Sequence, residues 1–280
     1  MKIGVIGIGN VGMAVAIGLK NKGHKIICYD TDKIKLKLAK EAGLKVTYTL
    51  KKCIKSSKII FVCVPTPSKP SGECNTTIVE NVIKSINSLT SDKEEKIIVI
   101  KSTVIPGTCK KIRESIKSNL KLVYNPEFLR HEHALQDFLH PYRTIIGSDD
   151  KEAIEKVSKI FRGWGNPIIK VDFTSAEMIK YASNCFLATK VSFSNEIKNI
   201  CEKLGVDAKK IIDAVALDKR INPSHLDPTK GPFGGPCLPK DLDALIFLSK
   251  KMGYKPLLLE SVKKVNELVK RKIRSSNKIK

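Results

Sequence analysis

The sequence predicts an α/β fold in which a doubly wound, mostly parallel sheet is followed by an all-helical domain. Three observations predict it. A glycine-rich turn, Gly7-Ile8-Gly9-Asn10-Val11-Gly12, sits between an apolar run at residues 2–6 and a helical pattern reaching about residue 22. Short apolar runs then alternate with helix-period segments as far as Asp172, the rhythm of βαβ units. From Thr174 onward only helical periods remain, so the domains are placed at 1–172 and 173–280.

The first unit is Rossmann-like because the glycine turn has the right neighbours. It follows a strand, opens a helix, and is followed at residues 25–29 by a second strand ending in Asp30. The glycines allow a tight turn and let a pyrophosphate reach the helix N-terminus, where free amides and the helix dipole favour anions. Asp30, 21 residues after Gly9, is placed to bind the hydroxyls of an adenine ribose and to repel a 2′-phosphate. The expected cofactor is therefore NAD rather than NADP. Asp32 reads as the cap of a helix over residues 33–42.

The alternation continues with a buried strand at 58–64, broken by Pro65-Thr66-Pro67, a helix at 75–88, and a strand at 96–101 ending at Ser102-Thr103. A helix at about 107–118, strands at 120–124 and 143–146, a helix at 151–161 and a strand at 167–171 complete the unit. Ligands of such sheets sit at the carboxyl ends of the strands. Gly7, Asp30, Pro65-Thr66-Pro67, Ser102-Thr103 and Asn125-Pro126-Glu127 all fall there, and are expected to line one crevice.

In the helical domain, Thr174-Ser175-Ala176-Glu177 has the form of a capping box and predicts a long helix to about residue 204. Helices are expected at 207–217, 240–252 and 256–273, with a Pro/Gly loop at 221–236 between them. Leu258, Val262, Val265 and Val269 form an apolar stripe on the last helix, which requires burial against the central helices or across a homodimer. The loop ends in Phe233-Gly234-Gly235-Pro236-Cys237-Leu238-Pro239-Lys240-Asp241. Two glycines that admit a ligand, a thiol, and a lysine able to supply positive charge make this a reactive-cysteine context. A Gly/Pro turn with an incidental cysteine is the alternative.

Composition narrows the classes. The formal charge is +23, but of 51 basic residues only Arg113, Arg130, Arg143, Arg162, Arg220, Arg271 and Arg274 are arginine. Lysines spread over most helical segments, with no aromatic-interleaved basic stripe, argue against specific nucleic-acid binding and for a field that attracts anionic substrates. Residues 270–280 read as a basic tail. The eight cysteines form no CxxC pair, which argues against a metal or disulfide framework, and Cys28 and Cys63 read as small core residues. No signal-peptide pattern or apolar run of membrane-span length occurs, and a cytoplasmic, membrane-free protein is expected.

Six segments, GVIGIGNVG at 4–12, VPTP at 64–67, KSTVIPGT at 101–108, YNPEFLR at 124–130, EMIKYASN at 177–184 and FGGPCLPKD at 233–241, stand in a telling order. By them the chain resembles the UDP-glucose/GDP-mannose dehydrogenase family over nearly its whole length. The resemblance implies a four-electron oxidation of a nucleotide sugar at C6, from primary alcohol to carboxylate, using two NAD+. It implies Cys237 as the nucleophile, passing through a thiohemiacetal and a thioester. Lys180 and Asn184, four residues apart on one helix face, then hold the developing oxyanion. Glu127 acts as acid/base in thioester hydrolysis, Asp241 orders water near the lysine, and Thr103 contacts that water or the reacting alcohol.

The implied cofactor contacts are Gly7, Gly9, Asn10, Val11, Gly12, Asp30, Lys35, Pro65, Thr66, Thr103 and Lys240. The implied substrate contacts are Phe128, Leu129, Arg130, Lys180, Asn184, Arg220, Phe233, Gly234 and Gly235, and no metal is implied. NPEFLR points to the UDP-glucose or GDP-mannose branches over the N-acetylhexosamine ones, and the resemblance alone favours UDP-glucose, giving UDP-glucuronate, with GDP-mannose or another nucleotide sugar as alternatives. A non-catalytic nucleotide-sugar or NAD-binding protein is the reading of a different class. Three departures stand out: His131 follows Arg130 where a second glutamate is frequent, Pro236 precedes Cys237, and with the sequence ending at Lys280 the usual third, nucleotide-binding domain is expected to be missing.

Overall fold

The computed structural model describes residues 1–277. The chain forms two compact units, Met1–Pro67 with Asn75–Lys180, and Ser68–Cys74 with the chain from Tyr181 onward. The expected boundary near Asp172 therefore differs from the division between compact units, which lies inside a helix.

In chain order the first unit contains β1 (Lys2–Ile6), α1 (Asn10–Asn21), β2 (Lys25–Tyr29), α2 (Lys33–Glu41), α3 (Leu50–Lys55), β3 (Ile59–Val62), α4 (Thr77–Leu89), β4 (Lys96–Ile100) and α5 (Thr108–Ser115). It continues through β5 (Leu120–Tyr124), α6 (Ala134–Leu139), β6 (Thr144–Gly147), α7 (Lys151–Phe161), β7 (Ile168–Val171) and the start of α8 (Phe173–Leu204). The seven strands lie in the order β2-β1-β3-β4-β5-β6-β7, parallel throughout except where β5 meets β6.

The uninterrupted apolar runs have a direct cause. Ile59 and Phe61 enter one core cluster while Ile60 and Val62 enter the other, and Ile97 and Val99 alternate with Ile98 and Ile100 in the same way. Each strand is thus covered on both faces, as a doubly wound sheet requires.

Three expectations change. β3 is shorter than expected, ending at Val62, so Cys63 and Val64 already belong to the loop that turns at the sheet's carboxyl edge. Helices α3 and α6 are too short to show a helical period; each is fixed by tertiary contact, α6 through Phe138, which packs edge-on against Phe161 and Trp164. The capping box at Thr174 does not form: α8 starts at buried Phe173, and Asp172 accepts from the Ser175 N–H at 2.9 Å. Glu177, fully buried, instead caps α5 from a distance. Its two oxygens accept from the N–H groups of Gly107 at 2.6 Å and Cys109 at 2.7 Å.

The second unit holds the remainder of α8, α9 (Ala208–Ala216), α10 (Leu238–Lys251) and α11 (Leu257–Asn277). Asp207 caps α9, accepting from the N–H groups of Lys209 and Lys210. The stripe expected on the last helix is only partly inward. Val262 is buried and Val265 and Val269 are half-buried, but Leu258 is 65% exposed because the inward face of α11 begins one turn later. Buried Asn266 completes that face. Residues 270–277 of the expected basic tail are helical, and 278–280 lie outside the described residues. Among the described residues no helix is long and apolar enough to cross a membrane.

Candidate active site

The loop after β1 is shaped by backbone chemistry that only glycine satisfies. Gly7 has φ 89°, and a Cβ there would lie 2.7 Å from the Cys63 carbonyl oxygen; at Gly12 a Cβ would strike the Gly7 carbonyl oxygen at 1.8 Å. α1 therefore packs directly on the turn. A Cβ at Gly9 would meet nothing within 4 Å, and the N-terminus of α1, at Gly9, Asn10 and Val11, has no side-chain cap. Open space before uncapped amides fits a pyrophosphate.

Asp30 closes the other side of this cradle. Its carboxylate accepts from the Ile8 N–H at 2.6 Å and the Asp32 N–H at 2.9 Å, which fixes its direction and leaves lone pairs for ribose hydroxyls. Asp32 caps α2 through the Ile34 N–H, as expected. Lys35 is exposed and 3.9 Å from Asp32. Across the strand ends, Thr66 donates to the Thr103 carbonyl at 2.8 Å and Ser102 to the Val64 carbonyl at 2.6 Å. The loops after β3 and β4 are thereby knitted together, with Pro65 exposed and Thr103 half-buried. These residues of the first unit fit NAD.

Deeper in the same unit lies a buried group of charges. The Lys180 ammonium is 2.9 Å from the Glu127 carboxylate, and Glu127 also accepts from the Leu129 N–H at 2.7 Å. Burial alone works to raise the Glu127 pKa, but Lys180 and that N–H outweigh it and hold the carboxyl below its ordinary value. Lys101 was not singled out by sequence, although a charged residue directly after the apolar run 97–100 is a visible signal. It is buried, donates to the Asn125 side-chain oxygen at 2.9 Å, and burial pushes its pKa down to about 8. Phe128 stacks beneath two cations, Arg143 at 4.2 Å and Lys180 at 5.3 Å from its ring centre. Leu129 packs on the core, while Arg130 turns outward to a bidentate pair with Asp137.

In the second unit the side chains around the cysteine loop form their own cluster. Cys237 is the N-cap residue of α10, and its carbonyl accepts from the Asp241 N–H at 2.9 Å. Asp241 is buried; it accepts from the Asn184 amide at 2.5 Å and from the Lys240 ammonium at 2.6 Å. Lys240 thus spends its charge on Asp241, where sequence had placed it near the thiol or the cofactor. Of the eight cysteines, all among the described residues, Cys237 alone is exposed, and burial pushes Cys28, Cys53, Cys63 and Cys185 up to about 12. Phe233 is buried, Gly234 and Gly235 are exposed, and Arg220 is 88% exposed in a fork with Asp218. No group of three His, Cys, Asp or Glu side chains among the described residues is arranged to hold a metal.

The doubly wound sheet, the glycine cradle and the aspartate after β2 define a dinucleotide-binding α/β domain. Comparison with known proteins refines the class: residues 36–165 match the NAD binding domain, and residues 174–268 the central domain, of the UDP-glucose/GDP-mannose dehydrogenase family. The chain belongs to that family. A UDP-glucose 6-dehydrogenase of Bacillus subtilis is 38% identical, over 95% of this chain and 63% of its own length. A UDP-glucose dehydrogenase structure from the archaeon Pyrobaculum islandicum superposes with a TM-score of 0.86 at 30% identity, covering 95% of this chain and 68% of that one. For a ternary complex of GDP-mannose dehydrogenase from Pseudomonas aeruginosa the TM-score is 0.73 at 32% identity, with 96% and 69% covered. The chain thus spans about two thirds of the length of these relatives.

Proposed function

We propose that this chain carries the cofactor and catalytic parts of a nucleotide-sugar 6-dehydrogenase, with UDP-glucose as substrate and UDP-glucuronate as product. The observation that carries the reading is Cys237, the one exposed thiol, at the head of α10 one turn before the buried Asn184–Asp241 pair. The choice of UDP-glucose rests on curated relatives named UDP-glucose 6-dehydrogenase at 38% and 37% identity.

Bound NAD+ supplies the hydride acceptor for both oxidation steps, one equivalent for each. In this reading the first oxidation takes the C6 alcohol to the aldehyde. The Cys237 sulfur then adds to the aldehyde carbon, giving a thiohemiacetal, and loss of hydride and a proton from that adduct leaves a thioester. Water attacks the thioester, releasing carboxylate and restoring the thiol. Lys180 and Asn184 donate to the oxygen as its charge develops, Glu127 takes the proton from the attacking water, and Asp241 and Thr103 orient that water. The glycine cradle and Asp30 hold the cofactor, and Phe128 to Arg130 with Phe233 to Gly235 contact the sugar nucleotide.

The same reading includes a homodimer. Phe186, Phe193, Ile200 and Leu204 are exposed along α8, the first three at seven-residue intervals. Sedimentation as a monomer removes that part of it. The substrate assignment is tested with a panel of UDP-glucose, GDP-mannose and UDP-N-acetylhexosamines, for which the highest kcat/KM is expected with UDP-glucose. Turnover confined to GDP-mannose moves the substrate to that branch. Saturable NAD binding with no turnover of any sugar favours the non-catalytic reading.

A further inference from the structure

The loop that delivers Cys237 is held by side chains from outside itself. Asn266 on α11, 2% exposed, accepts from the Phe233 N–H at 2.9 Å and donates to the Phe233 carbonyl at 3.1 Å. One amide thereby satisfies both backbone groups of a buried residue, as a neighbouring strand would. Two residues upstream, buried Asn195 on α8 donates to the Gly231 carbonyl at 2.8 Å, and its second donation, to the Val191 carbonyl at 3.0 Å, ties its own amide to the helix.

These two asparagines sit where packing alone calls for apolar residues. Asn266 lies between Val262 and Val269 on the inward face of α11, where an amide buried without partners is destabilising. Its partners are on the loop. Beyond Phe233 the chain runs exposed through Gly234, Gly235 and Pro236 until Cys237 enters the first turn of α10. Gly231 and Gly235, at φ 71° and 72°, turn the backbone on either side of Phe233. The bracketed residue is thus the anchor from which the direction of the short span to Cys237 is set.

We propose that Asn266, supported by Asn195, is a positioning residue for the Cys237 thiol. It acts through the Phe233 backbone and touches no reacting atom. The proposal rests on the reading of Cys237 as nucleophile.

The test uses the full chain and two variants. Asn266→Leu keeps the branched shape of the side chain and removes both hydrogen bonds; Asn266→Asp keeps the acceptor and removes the donor. With fold checked by circular dichroism, amide exchange over residues 231–237 is expected to quicken about tenfold in Asn266→Leu, the loss of roughly one net hydrogen bond. The kcat is expected to fall on the order of 100-fold, as for a reacting group displaced by about an ångström, with the NAD Kd unchanged within about twofold. Asn266→Asp should fall between, and it decides the matter if Asn266→Leu does not fold. Wild-type exchange over 231–237, or wild-type kcat, in the deciding variant overturns the proposal. If the unaltered chain fails to turn over, the dehydrogenase reading falls, and the exchange rates alone still decide whether Asn266 holds the loop.

Discussion

Lys180 Nζ lies 2.9 Å from Glu127 Oε1, with the two side chains 3% and 10% exposed. Residues from the loop after β5 and from α8 are joined there by an ion pair withdrawn from water. Such a pair gains little net stability over an apolar one, yet either partner left alone is an uncompensated buried charge. Lys180→Ala and Glu127→Gln should each destabilise the protein by about 3–5 kcal/mol in urea unfolding. The double variant should lose clearly less than the sum of the two.

The same pair fixes a pH dependence. The folded Glu127 carboxyl titrates below its unfolded value of about 4.3, so its contribution is present above that pH and is lost as pH falls through the folded pKa. In acid titration followed by urea midpoint, Glu127→Gln should flatten that part of the decline. An unchanged acid limb would contradict the assignment.

Lys101 gives a slope of the same sign on the alkaline side. Burial holds its pKa at about 8, against the pull of Cys63 and Glu127, whereas the unfolded lysine keeps its proton to about 10.4. Between those values the unfolded state binds more protons, so stability should rise with pH, by an amount on the order of 3 kcal/mol across the window. Urea midpoints at about pH 7.5 and about 9.5 should show the rise in the wild type and its absence in Lys101→Met.

Glu177 reads out as a cap rather than a charge. Glu177→Ala strands the Gly107 and Cys109 N–H groups and should cost about 1–3 kcal/mol for each in denaturant unfolding. Glu177→Gln, which retains one acceptor, should cost less. Equal losses would mean that the carboxylate charge, not the capping, is what matters there.

How much of this was legible depended on the range of the interaction. The sheet was readable because strands covered on both faces become unbroken apolar runs, and the cofactor cradle because the requirement for glycine at Gly7 and Gly12 is local. Helix α6 was not, since it owes its form to Phe138 packing on Phe161 and Trp164 rather than to a period of its own. The Thr174 capping box misled because Glu177 is recruited by backbone groups 70 residues away. Lys180 and Asn184 could be placed on one helix face from spacing, but not their carboxylate partners Glu127 and Asp241. Asn266 escaped notice for a similar reason: one amide in a helical stripe resembles a surface residue until its loop partner, 33 residues distant, is seen.

The central claim is that Cys237 carries the second oxidation. The most direct measurement is NADH formed per UDP-glucose consumed, in the wild type and in Cys237→Ser, with NAD Kd recorded for both. Two NADH per sugar in the wild type, with complete turnover abolished and NAD binding retained in Cys237→Ser, is the predicted result. An unaltered NADH yield in Cys237→Ser would contradict the covalent mechanism.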